Sequence, residues 1–467
     1  MGTNFYYAEE GRQGNFFLGC YGGKAMPDSA NQRYPILMKP FIQIFFLANL
    51  LSACKGQNLP KLVEDELEKV SMREILPKLT KMEGTTPAQW RVVWYGDPAT
   101  EAGIAWSTAE PGKVHRIYFG TEPHGQEVAK YSQSVMAHRS GKYRHDAKSD
   151  KDAKILDEVG YCHHVKLEGL KPGTNYHFVI ESDGERSKPL YFKTAPDGDA
   201  PYSILNGGDS RSGLLNRCRI NMRMAQLVEA HPKILALAHA GDYVNKGNTW
   251  YDWRLWLSHN ELMTCKDGRV IPIIPARGNH ERAENSKMYE DVFDVPEWHH
   301  TQLPLGLDLI TLSSNNPGRG GQLDWLKATN DKVGPDSHWL LTMYHAPIYP
   351  GVKDTPGCKD DWAKEFDRFY TDIALEGDGH IIKKTKFIRA DKEHKDGVIY
   401  IGEGGLGVGQ RDPKTDRWWI DKAGRGTFVF LLDVTKETLR CRTILLDGSV
   451  WDDLSIPNKA HLRKKAG

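Results

Sequence analysis

From Tyr202 onward the chain repeats one local pattern, and that repetition limits the folds open to it. A short apolar run ends in a polar cluster that contains glycine. The runs are Tyr202–Leu205, Ile234–Ala238, Val270–Ile274, Leu307–Leu312, Trp339–Met343 and Ile373–Leu375. Each has the length and β-rich content of a buried strand. Arg217–Glu229 and Gln322–Thr329 carry apolar residues at helical spacing between them. Alternation of strand, loop and helix calls for an α/β domain. Ligands of such domains gather beyond the carboxyl ends of the strands.

Polar clusters occupy that position. They are Gly207-Gly208-Asp209, Gly241-Asp242-Tyr243-Val244-Asn245-Lys246-Gly247, Gly278-Asn279-His280-Glu281, Tyr344-His345-Ala346-Pro347 and Gly377-Asp378-Gly379-His380. Taken singly, a Gly-Asp pair is an ordinary turn, and a histidine at a strand end is an ordinary surface residue. Taken in order at strand ends, the clusters form the pattern of a two-metal centre. Two cations about 3.5–4 Å apart can clamp the attacking and leaving oxygens of a phosphoester. One carboxylate must bridge them, and Asp242 is the natural candidate. Mixed Asp, Asn and His donors suit Fe, Zn or Mn better than calcium. A cation also lowers the pKa of its water to about 7, which supplies hydroxide at neutral pH.

Upstream the texture changes. Trp90–Tyr95, Gly103–Ser107, Val114–Phe119, His163–Leu167 and Tyr176–Glu181 are short β-rich runs. Turn signals such as Asp97-Pro98 and Pro172-Gly173 separate them. This spacing predicts an all-β sandwich over residues 88–196. Leu170-Lys171-Pro172-Gly173-Thr174-Asn175-Tyr176 looks like the turn and tyrosine corner of a fibronectin type III domain. Residues 133–155, rich in Lys, His, Asp and Ser, read as a solvated loop. The α/β domain is expected over 201–450, with 451–467 as a C-terminal tail.

The order of the clusters resembles the calcineurin-like metallophosphoesterases. A fibronectin-like module placed before them is similar to purple acid phosphatases. The resemblance runs over roughly residues 88–445. It includes Gln322-Leu323-Asp324-Trp325-Leu326 and the Gly-rich strand end Ile399-Tyr400-Ile401-Gly402-Glu403-Gly404-Gly405. It implies a four-layer α/β metallophosphoesterase domain behind the sandwich. By motif, Asp209 and His380 would bind the first metal, Asp242 would bridge, and Asn279 and His345 would bind the second. His280 would stabilise the phosphoryl transition state or protonate the leaving oxygen, and Glu281 would orient His280.

Three positions depart from the family pattern. Asn245 stands where purple acid phosphatases carry the tyrosine that colours their iron, and Tyr243 lies two residues too early to replace it. A protein that is not purple is expected. Arg211 stands where other metallophosphoesterases place a histidine. The first metal then lacks a ligand, which water or Asn245 could supply, and Arg211 is a candidate clamp for a phosphate oxygen. Asp378 stands at the first histidine of the family's Gly-His-x-His and is a candidate ligand of the second metal.

The chain ahead of the sandwich reads as an address. Met38-Lys39, the apolar run Phe41–Leu51 and Leu51-Ser52-Ala53-Cys54 have the order of an export signal ending in a lipobox. Residues 38–54 are therefore expected to be a lipoprotein signal, with Cys54 as membrane anchor. Residues 1–37 would be an upstream extension without structure, and 55–87 a tether. The run is too short to span a membrane, which takes about 20 apolar residues. Charge is balanced, 62 Lys+Arg against 61 Asp+Glu, which argues against nucleic-acid binding through a global positive field. No CxxC pair occurs among the seven cysteines, and five lie beyond Cys54, leaving room for one or two disulfides.

These readings converge on an exported, periplasmic or cell-surface lipoprotein. It would hydrolyse a small phosphoester, in the manner of an acid phosphatase acting on monoesters, through a dinuclear metal centre and metal-bound hydroxide. The alternatives are a phosphodiesterase or phospholipase of the same fold, or a non-catalytic surface binding protein with a degenerate site.

Overall fold

A computed structural model describes residues 67–146, 158–282, 287–315, 321–354 and 359–466. All of them fall in one compact unit, Leu59–Gly467. The upstream extension, the signal at 38–54 with Cys54, and the first part of the tether lie outside the described residues.

Two sheets stack face to face in the α/β domain, with helices on both outer sides. In the first sheet Tyr202–Gly207, Ile234–His239 and Ile273–Pro275 run parallel. In the second, Leu307–Thr311, Trp339–Met343, Ile373–Leu375 and Ile399–Gly402 run parallel. Successive strand side chains point to opposite faces, and the sequence obeys this. Ile204, Ala236, Leu309, Leu341, Ile373 and Leu375 join the core between the sheets. Their neighbours Leu205 and Leu237 face outward, onto Ile220, Met224 and Trp253 of the helices Leu214–Ala230 and Trp250–Asn260. Ile310, Leu340 and Ala374 face the other way, onto Leu326, Trp362 and Phe366. Those residues belong to the helices Gln322–Val333 and Lys359–Arg368. The result is the expected four layers.

The strand anticipated at Val270–Ile274 begins only at Ile273. Pro272 has no N–H to give a ladder; its carbonyl accepts from Leu237 N–H at 2.8 Å instead.

The sandwich is not a separate bead. One of its sheets continues the first α/β sheet, since Val93 of Ala88–Val93 pairs in parallel with Ile273. Ala102–Thr108, Tyr161–Leu167 and Arg139–Lys142 extend that sheet on this side, and Phe428–Val434, Leu439–Leu445 and Val450–Ile456 on the other, to ten strands. The facing sheet contains His115–Gly120 and Asn175–Ser182. Trp90, Ile104, Trp106, Ile117, Phe178 and Ile180 fill the space between. The Tyr176 phenol accepts from Lys171 N–H at 2.8 Å, as a tyrosine corner does.

Two expectations need correction. The segment 133–155 is not a plain solvated loop, because it contains the strands Gln133–Met136 and Arg139–Lys142. Arg139 and Arg144 from it reach the buried carboxylate of Asp291 at 2.5 and 2.8 Å, so its charges dock it on the α/β domain. The C-terminal tail is structured as well. Val450–Ile456 is an edge strand, and Ala460–Ala466 is a helix. Buried Arg463 bonds Asp372 at 3.0 Å, and Lys459 Nζ donates to Thr371 O at 2.7 Å.

Within the tether, Ile75 packs on Cys218 and Leu262. Cys162, Cys218, Cys265 and Cys441 are buried free thiols, so no disulfide joins any two of them. Among the described residues no helix is long and apolar enough to cross a membrane.

Candidate metal centre

Both sheets deliver their parallel strand ends to one place. Backbone hydrogen bonds tie the loops there together. Asp209 N–H donates to Gly241 O at 2.9 Å, Gly377 N–H to His345 O at 2.8 Å, and Gly405 N–H to Gly208 O at 3.0 Å. Asp378 N–H donates to Asp209 Oδ2 at 2.9 Å. The fit leaves no room for a Cβ at the glycines. One added at Gly404, which has φ +80°, would lie 2.0 Å from Asp209 Oδ2, and one at Gly278 would lie 2.2 Å from Asp242 Oδ1.

The side chains aim inward. Asp209, Asp242 and His345 are buried, and each offers a donor atom within 4.8 Å of the others. His345 Nε2 lies 3.2 Å from Asp242 Oδ1 and 3.0 Å from Asn279 Oδ1. Donors at this separation around one point suit a cation with bonds of about 2.0–2.2 Å. The His345 tautomer agrees. Its Nδ1 faces the Ala240 carbonyl at 2.9 Å, which can only accept, so Nδ1 carries a proton and Nε2 is the atom left for an ion to take. Burial alone would lower the pKa of His345, but Asp242, Asp209 and Asp378 raise it to about 10. The pocket is short of positive charge. Asp209 Oδ1 is buried without a hydrogen-bond donor, although His380 Nε2 lies 3.2 Å away. A cation satisfies both observations, so the donor set fits a metal.

Backbone strain marks the same residues. Asp209, Asp242, Asp378 and His380 all have φ between 57° and 70°. Left-handed backbone costs a non-glycine residue about 1–2 kcal/mol and persists where the surroundings impose it.

The residues at the three altered positions do not stand free. Arg211 Nη1 donates to Asn245 Oδ1 at 2.7 Å, and its Nε lies 3.4 Å from Asp242 Oδ2. The Asn245 amide oxygen is thus turned to Arg211. Asp378 Oδ1 lies 3.8 Å from His345 Nε2 but is also held by Lys353 Nζ. His280 Nδ1 is 2.5 Å from the Asn245 carbonyl, which fixes the proton there, and its Nε2 faces Asp242 Oδ2 at 3.8 Å. Tyr243 points away from the centre and donates to Ala276 O at 3.0 Å.

Sequence reasoning assigned Glu281 to orienting His280, and the structure shows a different contact. Its carboxylate accepts four backbone N–H groups: Asp242 at 3.0 Å, Tyr243 at 3.0 Å, Val244 at 3.2 Å and Gly278 at 3.1 Å. It holds the Asp242 loop against the Gly278 loop. Burial and the nearby Asp242 charge push its pKa up to about 8, against the pull of those donors. Positive charge at Asp242 would therefore favour the carboxylate form. Glu281→Gln is expected to weaken metal binding about tenfold or more and to cost about 1–3 kcal/mol. A metal titration and a urea midpoint check this; unchanged values for both would reject the clamp.

Residues missed from the sequence are Lys353, Arg411 and Lys383. Arg411 Nη1 donates to Asp378 O at 3.0 Å. Lys383 is fully buried between Glu376 and Glu403, at 2.5 and 2.9 Å. No local pattern announces the first two. The strand Ile382–Thr385 reads Ile-Lys-Lys-Thr, so the burial of the third had no local signal either.

Known proteins share this architecture. Residues 87–194 match the family described as purple acid phosphatase, N-terminal domain, and 215–381 match the calcineurin-like phosphoesterases. The second match begins after Asp209 and Arg211. Purple acid phosphatase 15 of Arabidopsis thaliana is 24% identical over 53% of this chain and 54% of its own length. Acid phosphatase type 7 of Mus musculus is 24% identical over 58% of this chain and 61% of its own length. The match thus spans little more than half of these relatives. Purple acid phosphatase PPD1 from yellow lupin (Lupinus luteus) has the same fold, with TM-score 0.67 and 16% identity over 79% of this chain and 74% of that one. The purple acid phosphatase family uses a dinuclear metal centre. By its domains and their order, the chain joins a domain that matches the N-terminal domain of purple acid phosphatases to one that matches the calcineurin-like phosphoesterases.

Proposed function

We propose that the chain hydrolyses small phosphomonoesters in a metal-dependent reaction. The observation that carries this reading is the convergence of Asp242 Oδ1, Asn279 Oδ1 and His345 Nε2 within 3.0–3.2 Å contacts, with His280 beside them. Asp209, Asp242, Asn279 and His345 are the residues that would hold the metal. A bound cation supplies a water of lowered pKa and neutralises phosphoryl charge. The protein's own part is positioning. His280 Nε2 stands on the partly exposed side of Asp242, where the doubly protonated ring, with Nδ1–H on the Asn245 carbonyl, can hold a phosphoryl oxygen or protonate the leaving oxygen. A cleft of about 230 Å³ opens alongside, lined by Arg211, Asn245, Leu214, Tyr251 and Leu255. Its size supports a small leaving group.

The proposal includes location: an exported lipoprotein, periplasmic or on the cell surface, held to the membrane through Cys54. The order of charge, apolar run and small residues in 38–54 supports it.

The test is a hydrolysis screen of monoesters and diesters, with metal content measured on the same preparation. Monoester turnover by metal-loaded protein, lost on chelation, supports the reading. Preference for diesters reassigns the substrate to the phosphodiesterase or phospholipase class. Neither metal nor turnover leaves a binding protein.

A further inference from the structure

We propose that this chain holds one metal ion, not two, and that the Arg211 guanidinium takes the place of the other cation. The inference rests on the metal-dependent reading above and concerns the position that Asp209, Asp242 and His380 would supply.

Arg211 reaches into that position. Its Nη1 donates to Asn245 Oδ1 at 2.7 Å, its Nη2 lies 3.4 Å from His380 Nε2, and its Nε lies 3.4 Å from Asp242 Oδ2. A guanidinium nitrogen carries only donors, so His380 Nε2 meets it with the lone pair that an ion would need. Asp242 is divided between two partners. Oδ1 faces His345 Nε2 and accepts from His280 N–H at 3.1 Å, while Oδ2 faces Arg211. The carboxylate still bridges two positive centres, but one of them belongs to the protein. A single ion keeps Asp242, Asn279 and His345, with a donor atom of Asp209 within 4.8 Å of those of Asp242 and His345.

Charge points the same way. Asp209, Asp242 and Asp378 face Arg211 and Lys353, whose Nζ holds Asp378 Oδ1. That leaves one net negative charge, which a single divalent ion reverses. A second would add its charge beside the guanidinium. For a divalent ion about 4 Å from a guanidinium in a partly screened site, that repulsion weakens binding by about a thousandfold or more.

The experiment loads the full chain with Mn(II), counts ions per chain by elemental analysis, and records the electron paramagnetic resonance spectrum. Wild type is expected to hold one ion with an uncoupled six-line signal. Arg211→His and Arg211→Ala are expected to hold two, with the broadened signal of a coupled pair. Arg211→Lys, which keeps the charge, is expected to stay at one. Asp209→Ala added to Arg211→His should return it to one. Two ions in wild type would overturn the substitution while leaving the hydrolase reading intact. One ion in all Arg211 variants would show that Arg211 is not what excludes the second. No ion in any of them would overturn both readings.

Discussion

Asp242→Asn is expected to lower kcat/KM toward a phosphomonoester about a thousandfold or more, equivalent to about 4 kcal/mol of transition-state stabilisation, and to strip the metal. The reason lies in how fully both oxygens are used. Oδ1 lies 3.2 Å from His345 Nε2 and accepts the His280 backbone N–H at 3.1 Å, while Oδ2 lies 3.4 Å from Arg211 Nε. An asparagine fits the space but must place its NH2 on one side or the other. On the Oδ1 side it opposes the His280 N–H and presents hydrogens to the ion. On the Oδ2 side it meets the guanidinium, which is all donors. In either orientation the negative charge is gone. The fold should survive, because the Asp242 N–H bond to Glu281 at 3.0 Å comes from the backbone. Metal content, kcat/KM and a urea midpoint on one preparation check the expectation. A variant that keeps metal and turnover would remove Asp242 from the centre of the site.

The parts of this site legible in the sequence were those that strand geometry dictates. A buried strand declares itself by its apolar run, and the residues just past its end must sit at the sheet's carboxyl edge. Asp209, Asp242, Asn279, His345, Asp378 and His380 could therefore be placed together before any coordinates. What the pattern could not show was direction. Arg211 was visible as a departure from the family, but nothing in the sequence says that its Nε turns to Asp242 and its Nη1 to Asn245. Lys353 comes from a loop whose path follows from long-range packing, so its bond to Asp378 had no local signal. The same limit explains the sequence segment 133–155. Its polar composition reads as solvent-facing until Asp291, from a distant helix, supplies a partner for Arg139 and Arg144. In the C-terminal segment, burial of Arg463 is offset by Asp372 and by the carbonyls of Ser337, Tyr370 and His338. Composition cannot report a pairing of that kind.

Stability is expected to fall by several kcal/mol between pH 6.5 and pH 5, a large part of the 5–15 kcal/mol that a domain typically has. Four histidines away from the metal centre are buried in the neutral form. Burial lowers His163 to about 2, with the stacked His115 ring adding to the effect. Burial beside Arg91 lowers His164 to about 3. Burial beside Arg217, whose Nη2 donates to His259 Nδ1 at 2.8 Å, lowers His259 to about 3. Burial with His300 nearby lowers His299 to about 4. Each has a folded pKa below the unfolded value of about 6.5. Below that pH the unfolded chain binds protons that the folded chain refuses. The stability is present above pH 6.5 and is lost as pH falls toward the folded values, at about 1.4 kcal/mol per unit for each histidine. At pH 5 that is about 2 kcal/mol apiece. Glu281, raised to about 8 by burial and Asp242, runs in the opposite sense and offsets roughly one of the four. Urea unfolding at pH 7, 6 and 5 measures the slope. His259→Gln keeps an acceptor for Arg217 without a titrating ring and should flatten the slope by about 1.4 kcal/mol per pH unit. If stability instead stays level or rises from pH 6.5 to pH 5, these histidines are not held neutral, and the packing around Arg91 and Arg217 must open enough to admit their charge.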